Sequence, residues 1–494
     1  MNKNSFSKIF ILIICLVFIV GGFLGWRYWF LPKEENIIPE EEKVITYPEN
    51  SVKLATIGEG FNLEEGENSI LFSPDRNKVA YIAKKEGKWF MVVNNQVSEA
   101  YDNILLGFHF SPDSKKLAYA AKKEGKWFVV VNGQRGNNYD EITAPITFSP
   151  DSKRLVYGVK KEGKQFIVID GEEGKSYDSL WWDPTFSPDS KQLAYGAQKE
   201  GKRFVVINGK EGKAYDNIWG IIFSSDSKKI AYAAVDREKG VTVVENGKEG
   251  KYYKDIQSIT FSPDSKQLAY VAQKKEQTWE PSWSPAEWTV VINGEEGKIY
   301  DFITAQTGIV KNEKLVFSSD SKQLAYIAGN AEKESMIHGI KEFFIVLNGQ
   351  EGKIYKKILS PKPILVESPI FSPDGKQLVF SASNEYETPD GSLESKQFIV
   401  INGKEEEINY TINPAWNFGF VSGGPDFIFS LDSKRMAYIL EKEYEAGVFI
   451  VVDNWKSRIY DGVSQPIFSS DGKSIIYGAK IGNELWATVD KIED

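Results

Sequence analysis

The stretch TWEPSWSPAEW, Thr278 to Trp288, holds three tryptophans in eleven residues, with two prolines that keep its backbone open. An indole offers a broad apolar face and one N–H donor, which suits a sugar ring or a protein hot spot as well as it suits packing. Trp279 and Trp283 are the binding candidates here, because Trp288 falls where a strand begins. Trp416 lies in another long connection, and Trp181, Trp182 and Trp219 lie between earlier repeats. These six are the candidate ligand-binding residues; packing beneath the long loops is the competing reading.

Groups for catalysis are sparse. No G-x-S-x-G elbow occurs, GVSQP at Gly462 being only a superficial approach to one. The two histidines, His109 and His338, cannot by themselves make a multi-histidine metal site. The single cysteine, Cys15, removes intramolecular disulfides, thiol catalysis and cysteine-ligated metals elsewhere in the chain. No phosphate-binding or dinucleotide fingerprint appears outside incidental glycines of the amino-terminal apolar run. Carboxylates remain, since glycoside chemistry runs on a pair of Asp or Glu. Asp113 and Asp151 stand in repeated turns, however, and Tyr215-Asp216 recurs as a repeated pair, so both read as architecture. The acidic stretch NEYETPDGSLE, Asn384 to Glu394, matches no calcium-loop spacing and reads as a solvated loop. No catalytic residue, metal or cofactor is therefore expected.

The elements that position these residues come from a repeat. FSPD or a close variant begins at Phe72, Phe110, Phe148, Phe186, Phe223, Phe261, Phe317, Phe371, Phe429 and Phe468. Each copy continues into a short apolar strand such as Leu117–Tyr119, and then into a second one such as Trp127–Gly133. Most copies add a segment like GKAYDNI, Gly212 to Ile218. In SPDSK the proline presets φ and the aspartate accepts nearby backbone N–H groups, so the chain reverses there. The glycine of KKEGK serves a second reversal, and NG, as in Asn132-Gly133, is a strong hairpin signal for a third. Strands two and three show little polar alternation, which requires a sheet covered on both faces. Stacking such sheets radially hides every face, and the expected fold is an all-β propeller of about ten four-stranded repeats. One ring is favoured over two smaller ones divided near residue 275.

FSPDSKKLAY and its copies resemble the TolB-type, WD-like propeller repeat, also found in the propellers of prolyl oligopeptidase relatives. The likeness covers residues 52–490. It implies a propeller and no particular activity; no hydrolase-sized domain follows the repeats. After Phe468 the last copy lacks a fourth strand, and the β-rich segment 43–57 is placed to supply it.

From the sixth copy on, the repeat lengthens at two kinds of connection. Additions fall between strands two and three (274–287, 329–341, 383–396) and between successive blades (303–314, 358–369, 411–426). Both kinds emerge on the same edge of a four-stranded meander, and in repeat proteins the elaborated side often binds.

Ahead of the repeats, Ile9–Trp26 is an uncharged apolar run of eighteen residues, about 27 Å as a helix against a bilayer core of about 30 Å. A transmembrane anchor over 9–30 is expected, with a short tail at 1–8 and a proline-containing acidic linker at 31–50; a cleaved signal peptide is the alternative. The domain at 51–494 is then extracytoplasmic, on a single-pass protein of bacterial type. Beyond residue 30 the formal charge is about −12, which excludes a nucleic-acid footprint. The expectation is a non-catalytic envelope module that binds protein or glycan through its elaborated face. A carboxylate-dependent carbohydrate-active enzyme at that face is the alternative.

Overall fold

The computed structural model describes residues 51–63, 69–276, 286–303, 315–330, 341–357, 369–388, 393–408, 411–412, 427–441 and 447–492. The fold is an all-β propeller of ten antiparallel blades, one for each FSPD copy. Blade four is representative: Ser179–Phe186, Leu193–Lys199, Lys202–Ile207 and Lys210–Glu211 pair in that order. Where a fifth strand appears the first strand is interrupted, as in blade two, where Asn103–Ile104 and His109–Phe110 both pair with Leu117–Lys123. The described residues divide into two compact units. One holds 51–176 with 412–492, that is blades nine, ten, one, two and three; the other, 177–411, holds blades four to eight. A boundary between two propellers near residue 275 is not found, because the second unit runs through it.

The last blade takes its outer strand from the other end of the chain. Ser51–Thr56 pairs antiparallel with Glu484–Lys491, in register from Ser51 against Thr488 to Thr56 against Glu484. Residues 43–50 lie outside the described residues, as does the apolar run at 9–30. Among the described residues no helix is long and apolar enough to cross a membrane.

Blades adhere through apolar faces. Between blades five and six, Ala231, Ala233, Val241, Val243 and Tyr253 meet Ile256, Phe261, Tyr270 and Ala272. Alanine on strand two lets the sheets approach closely, and tyrosine fills what remains. The outer-strand tyrosine of one blade packs edge-on against the strand-two tyrosine of the next, as in Tyr253–Tyr270 and Tyr101–Tyr119, both with centroids 6.1 Å apart.

The connections between strands one and two and between strands three and four emerge on one edge, here the turn edge. Its chemistry repeats from blade to blade. In blade two the Ser111 hydroxyl donates to Asp113 Oδ1 at 2.6 Å, and the Lys115 N–H donates to the same oxygen at 3.1 Å. The Asp113 N–H then donates to Oγ of Ser152 in blade three at 3.0 Å, while Lys116 Nζ reaches the Ser152 carbonyl at 3.0 Å. Blades five and six repeat the link through Asp226 and Ser265. The serine stands at positive φ (Ser265, 62°), and glycine replaces it at Gly375 and Gly472, where φ is also left-handed. In the NG turn, Asn132 and Gly133 have φ of 48° and 80°, and Asn132 Oδ1 accepts the Leu117 N–H at 2.8 Å, tying strand four's turn to strand two.

The opposite edge, here the loop edge, carries strand two-to-three hairpins and blade-to-blade connections. Short hairpins there are braced by the aspartate of the Tyr-Asp pair: Asp102 Oδ2 accepts the Glu124 N–H at 2.8 Å, and Oδ1 meets Lys88 of blade one at 2.7 Å. Asp140 and Asp216 repeat both contacts. The expected acidic loop at 384–394 is instead largely hairpin. Leu378–Glu387 pairs with Leu393–Ile401, including Asn384 against Lys396 and Glu387 against Leu393, because strand pairing simply continues past the usual turn.

Two outcomes follow from these contacts. Deleting residues 51–57 exposes the edge of Glu484–Lys491 and should lower the melting temperature by many degrees; an unchanged melting temperature would contradict the closure. The turn carboxylates give the second. Their serine hydroxyls and backbone N–H groups pull Asp264 and Asp374 down to about 2, and Lys251 leads the groups that do the same for Glu296. A folded-state value below the unfolded one, about 3.9 for Asp, means stability that is fully present above pH ~5 and lost as pH falls towards about 2. Thermal melts taken from pH 6 to 2 should show the midpoint falling mainly below about pH 4.

Candidate functional site

Of the six tryptophans singled out, Trp279, Trp283 and Trp416 lie outside the described residues. The other three stand on the inner strands of blades four and five, where the chain turns in from the loop edge. Trp182 and Trp219 occupy the same place in the repeat: Trp182 pairs with Gly196 and Trp219 with Ala233. Each packs forward onto the next blade. Trp182 lies against the cluster of Tyr215, Ile218 and Ile221, and Trp219 against that of Tyr253, Ile256 and Ile259. The Trp219 indole N–H donates to the Ile256 carbonyl across the junction at 3.2 Å. The Trp182 indole N–H is buried, and none of the described residues accepts it. These two rings are inter-blade wedges.

Trp181 differs. The pairing register shifts between Leu180 and Trp182, so Trp181 is an extra residue that the ladder does not use, and it is 42% exposed. A bulge of this kind re-aims a side chain. The Arg203 guanidinium lies over its ring, 3.1 Å from the centroid, and is itself held by Gln198 Oε1 at 3.3 Å and Asn217 Oδ1 at 2.5 Å. In blades one and two the corresponding pair is reversed: Trp89 and Trp127 stand on strand three, with Lys84 and Lys122 of strand two over their rings. Blade four places the cation on strand three and takes its ring from the inner strand instead. Sequence reasoning missed Arg203; the signal was KRF, Lys202 to Phe204, where the first two copies read KWF and the third KQF.

Beside this stack, Asp183 is half-buried, and desolvation raises its carboxyl above the ordinary aspartate range. Among the described residues no group of three or more His, Cys, Asp or Glu is arranged to hold a metal. His109, on the inner strand of blade two, keeps part of its surface open. Desolvation still pushes its imidazole down to about 4, so it is neutral at physiological pH. His338 lies outside the described residues. The repeated carboxylates are engaged in bracing turns and junctions: Glu249 accepts from Tyr215 at 2.9 Å and pairs with Lys213 at 2.6 Å. What blade four offers is therefore a fixed cation–aromatic surface with one desolvated carboxyl, suited to contact and recognition.

The two roles of tryptophan separate by mutation. A β-carbon at Gly196 would lie 2.7 Å from Cβ of Trp182 and 2.9 Å from its backbone nitrogen. Gly196→Ala should cost about 1–3 kcal/mol, read as a lower urea midpoint at unchanged m-value. Trp181→Ala should cost at most about 1 kcal/mol, the size of an exposed cation–aromatic contact. Equal losses would mean that both rings are structural.

No family model matches the sequence, and no curated protein is similar to it. Among solved structures the chain is similar to TolB from Acinetobacter baumannii, at 13% identity over 57% of this chain and 79% of that one, with a TM-score of 0.28. The β-propeller domain of the Trilobed protease from Pyrococcus furiosus shares 16% identity over 64% of this chain and 95% of that domain, at a TM-score of 0.29. The Dos1 propeller shares 10% identity over 71% and 93%, at 0.33. At such identities the likeness concerns the propeller fold alone.

Proposed function

We propose that this protein is a non-catalytic binding module of the cell envelope, tethered through its amino-terminal segment and contacting a protein or glycan with the loop edges of its later blades. One observation carries the reading: the long hairpins between strands two and three all leave one edge, whereas the additions expected between blades at 303–314 and 411–426 instead fall within the inner strands of blades seven and nine, whose two parts pair with the same neighbour. In blades six to eight the strand ends at Lys275 and Glu287, Asn330 and Lys341, and Glu387 and Leu393 bracket the longer connections, all on the loop edge. The turn edge of the same blades keeps the short serine–aspartate turn, from Ser262, Ser318 and Ser372. Loops that packing does not require, on a scaffold that packing has already fixed, are where recognition resides. In the sequence Trp279 and Trp283 fall within such a connection, between Lys275 and Glu287, and Trp181 offers an exposed ring. The apolar run Ile9–Trp26 supports attachment to a membrane.

Lysine-directed crosslinking in native membranes tests this. Crosslinked peptides should carry Lys274, Lys275, Lys333 or Lys341 of the loop edge, and crosslinks concentrated at Lys228, Lys266 and Lys322 of the turn edge would refute it. For a glycan partner, quenching of tryptophan fluorescence should disappear in the Trp279→Ala, Trp283→Ala double variant.

A further inference from the structure

We propose that the turn edge of blade nine rests in the headgroup layer of the membrane, an inference that depends on the anchor reading above. Blade nine is the one blade in which both turns bring in a large apolar residue that the other copies lack. The third residue of the FSPD signature is Pro or Ser in nine copies, from Pro74 to Ser470, and Leu431 in blade nine. Leu431 is 52% exposed, the most of any large apolar side chain described. In the hairpin between strands three and four, the residue following the two turn residues is polar in blades one to eight, from Gln96 to Lys404, and Trp455 in blade nine.

Both departures lie on the same edge. The Asp453 N–H donates to the Met436 carbonyl at 3.2 Å, and Arg435 Nη1 lies 3.9 Å from Asp453 Oδ2, so the two turns are joined directly. Trp455 is half-buried against the core that blade nine shares with blade ten. Around Leu431 and Trp455 stand Lys434, Arg435 and Lys456, against Asp432 and Asp453. Lys434 and Lys456 are exposed; Asp432 lies 3.5 Å from Lys434, and Asp453 lies 3.9 Å from Arg435. A leucine and a tryptophan set among lysines and an arginine is the composition favoured at a bilayer boundary, where the indole sits among headgroups and the cations meet lipid phosphate.

The course of the chain supports the same occupant. Ser51 pairs with Thr488, beyond the middle of Glu484–Lys491, whereas Thr56 pairs with Glu484 beside the loop-edge hairpin. The closing strand therefore starts on the turn-edge side of blade ten, the edge on which Leu431 and Trp455 also lie. In the sequence 24 residues, 27–50, join the apolar run to Ser51, a length of about 80–86 Å at most when fully extended. Seating blade nine on lipid also directs the loop edge of its own unit away from the bilayer.

The test uses the full chain in vesicles of phosphatidylcholine and phosphatidylglycerol at 7:3, with Cys15→Ser as background. A fluorophore is placed on Leu431→Cys, and separately on Asn483→Cys at the loop edge of blade ten. Nitroxide-labelled lipid should quench the label at 431 at least threefold more than the label at 483. Replacing the exposed Lys434 and Lys456 by Ser should bring the two signals together while the melting temperature stays near that of the parent. Equal quenching on vesicle-bound protein overturns the inference and leaves the anchor intact. Failure to float with vesicles overturns both. A label at 431 that lipid does not quench, but that crosslinks to a protein in native membranes, assigns the edge to a protein and overturns the lipid contact.

Discussion

Contact between the apolar faces of neighbouring blades is the constraint on which everything else rests. A lone four-stranded blade here would expose a face such as Ala231, Ala233 and Val243 on one side and its own inward residues on the other. At roughly 25 cal/mol per Å² of apolar surface, neither face is tolerable in water, and a neighbour removes both. Close approach demands small residues on strand two. Gly196 is the extreme case, because the backbone and β-carbon of Trp182 already occupy the space that a side chain would need. The hydrophobic contact is not directional, however, and would permit sliding. Register between blades is set by polar links, from the Asp226 N–H to Ser265 at one edge and from Lys202 to Asp216 at the other.

Much of this was legible in the sequence, for a physical reason. A unit that must satisfy the same packing and turn geometry in every blade repeats the same residues, so the strands, the serine–aspartate turn and the Asn-Gly hairpin could be placed before any coordinates. The second serine of SPDS was less legible. Its hydroxyl serves the preceding blade, and its positive φ tolerates glycine equally, so its role shows only where Ser265 meets Asp226. The hairpin at 378–401 was hidden too, because its acidic stretch has the composition of a loop, and only the strand pairing distinguishes it.

The tryptophans illustrate the same limit within a few residues. Trp181 and Trp182 are adjacent and chemically identical, yet a one-residue shift in pairing makes one a wedge and the other a surface ring. A shift of one residue changes what faces the core, and nothing in the composition announces it. The neighbour that distinguishes them, Arg203, sits two strands away in the sheet.

Length at the loop edge has its own control. Blades two to five keep short hairpins, each with an aspartate that accepts the backbone N–H at the turn: Asp102, Asp140, Asp178 and Asp216. Blade ten does the same, with Asp461 receiving the Gly482 N–H. The same position is Lys254 ahead of blade six, Lys356 ahead of blade eight and Thr411 ahead of blade nine, and all three hairpins are longer. The carboxylate serves turns of slightly different length: Asp102 meets a hairpin closed by Lys123 and Lys126, and Asp216 one that is a residue longer, closed by Asp236 and Gly240. In both it accepts the first N–H of the turn, which holds a short hairpin against the preceding strand. Blade seven keeps Asp301 and still has a long hairpin, so the aspartate does not by itself forbid extension. The brace thus accompanies the short hairpins of blades two to five and of blade ten, while the longer hairpins of blades six, eight and nine lack it.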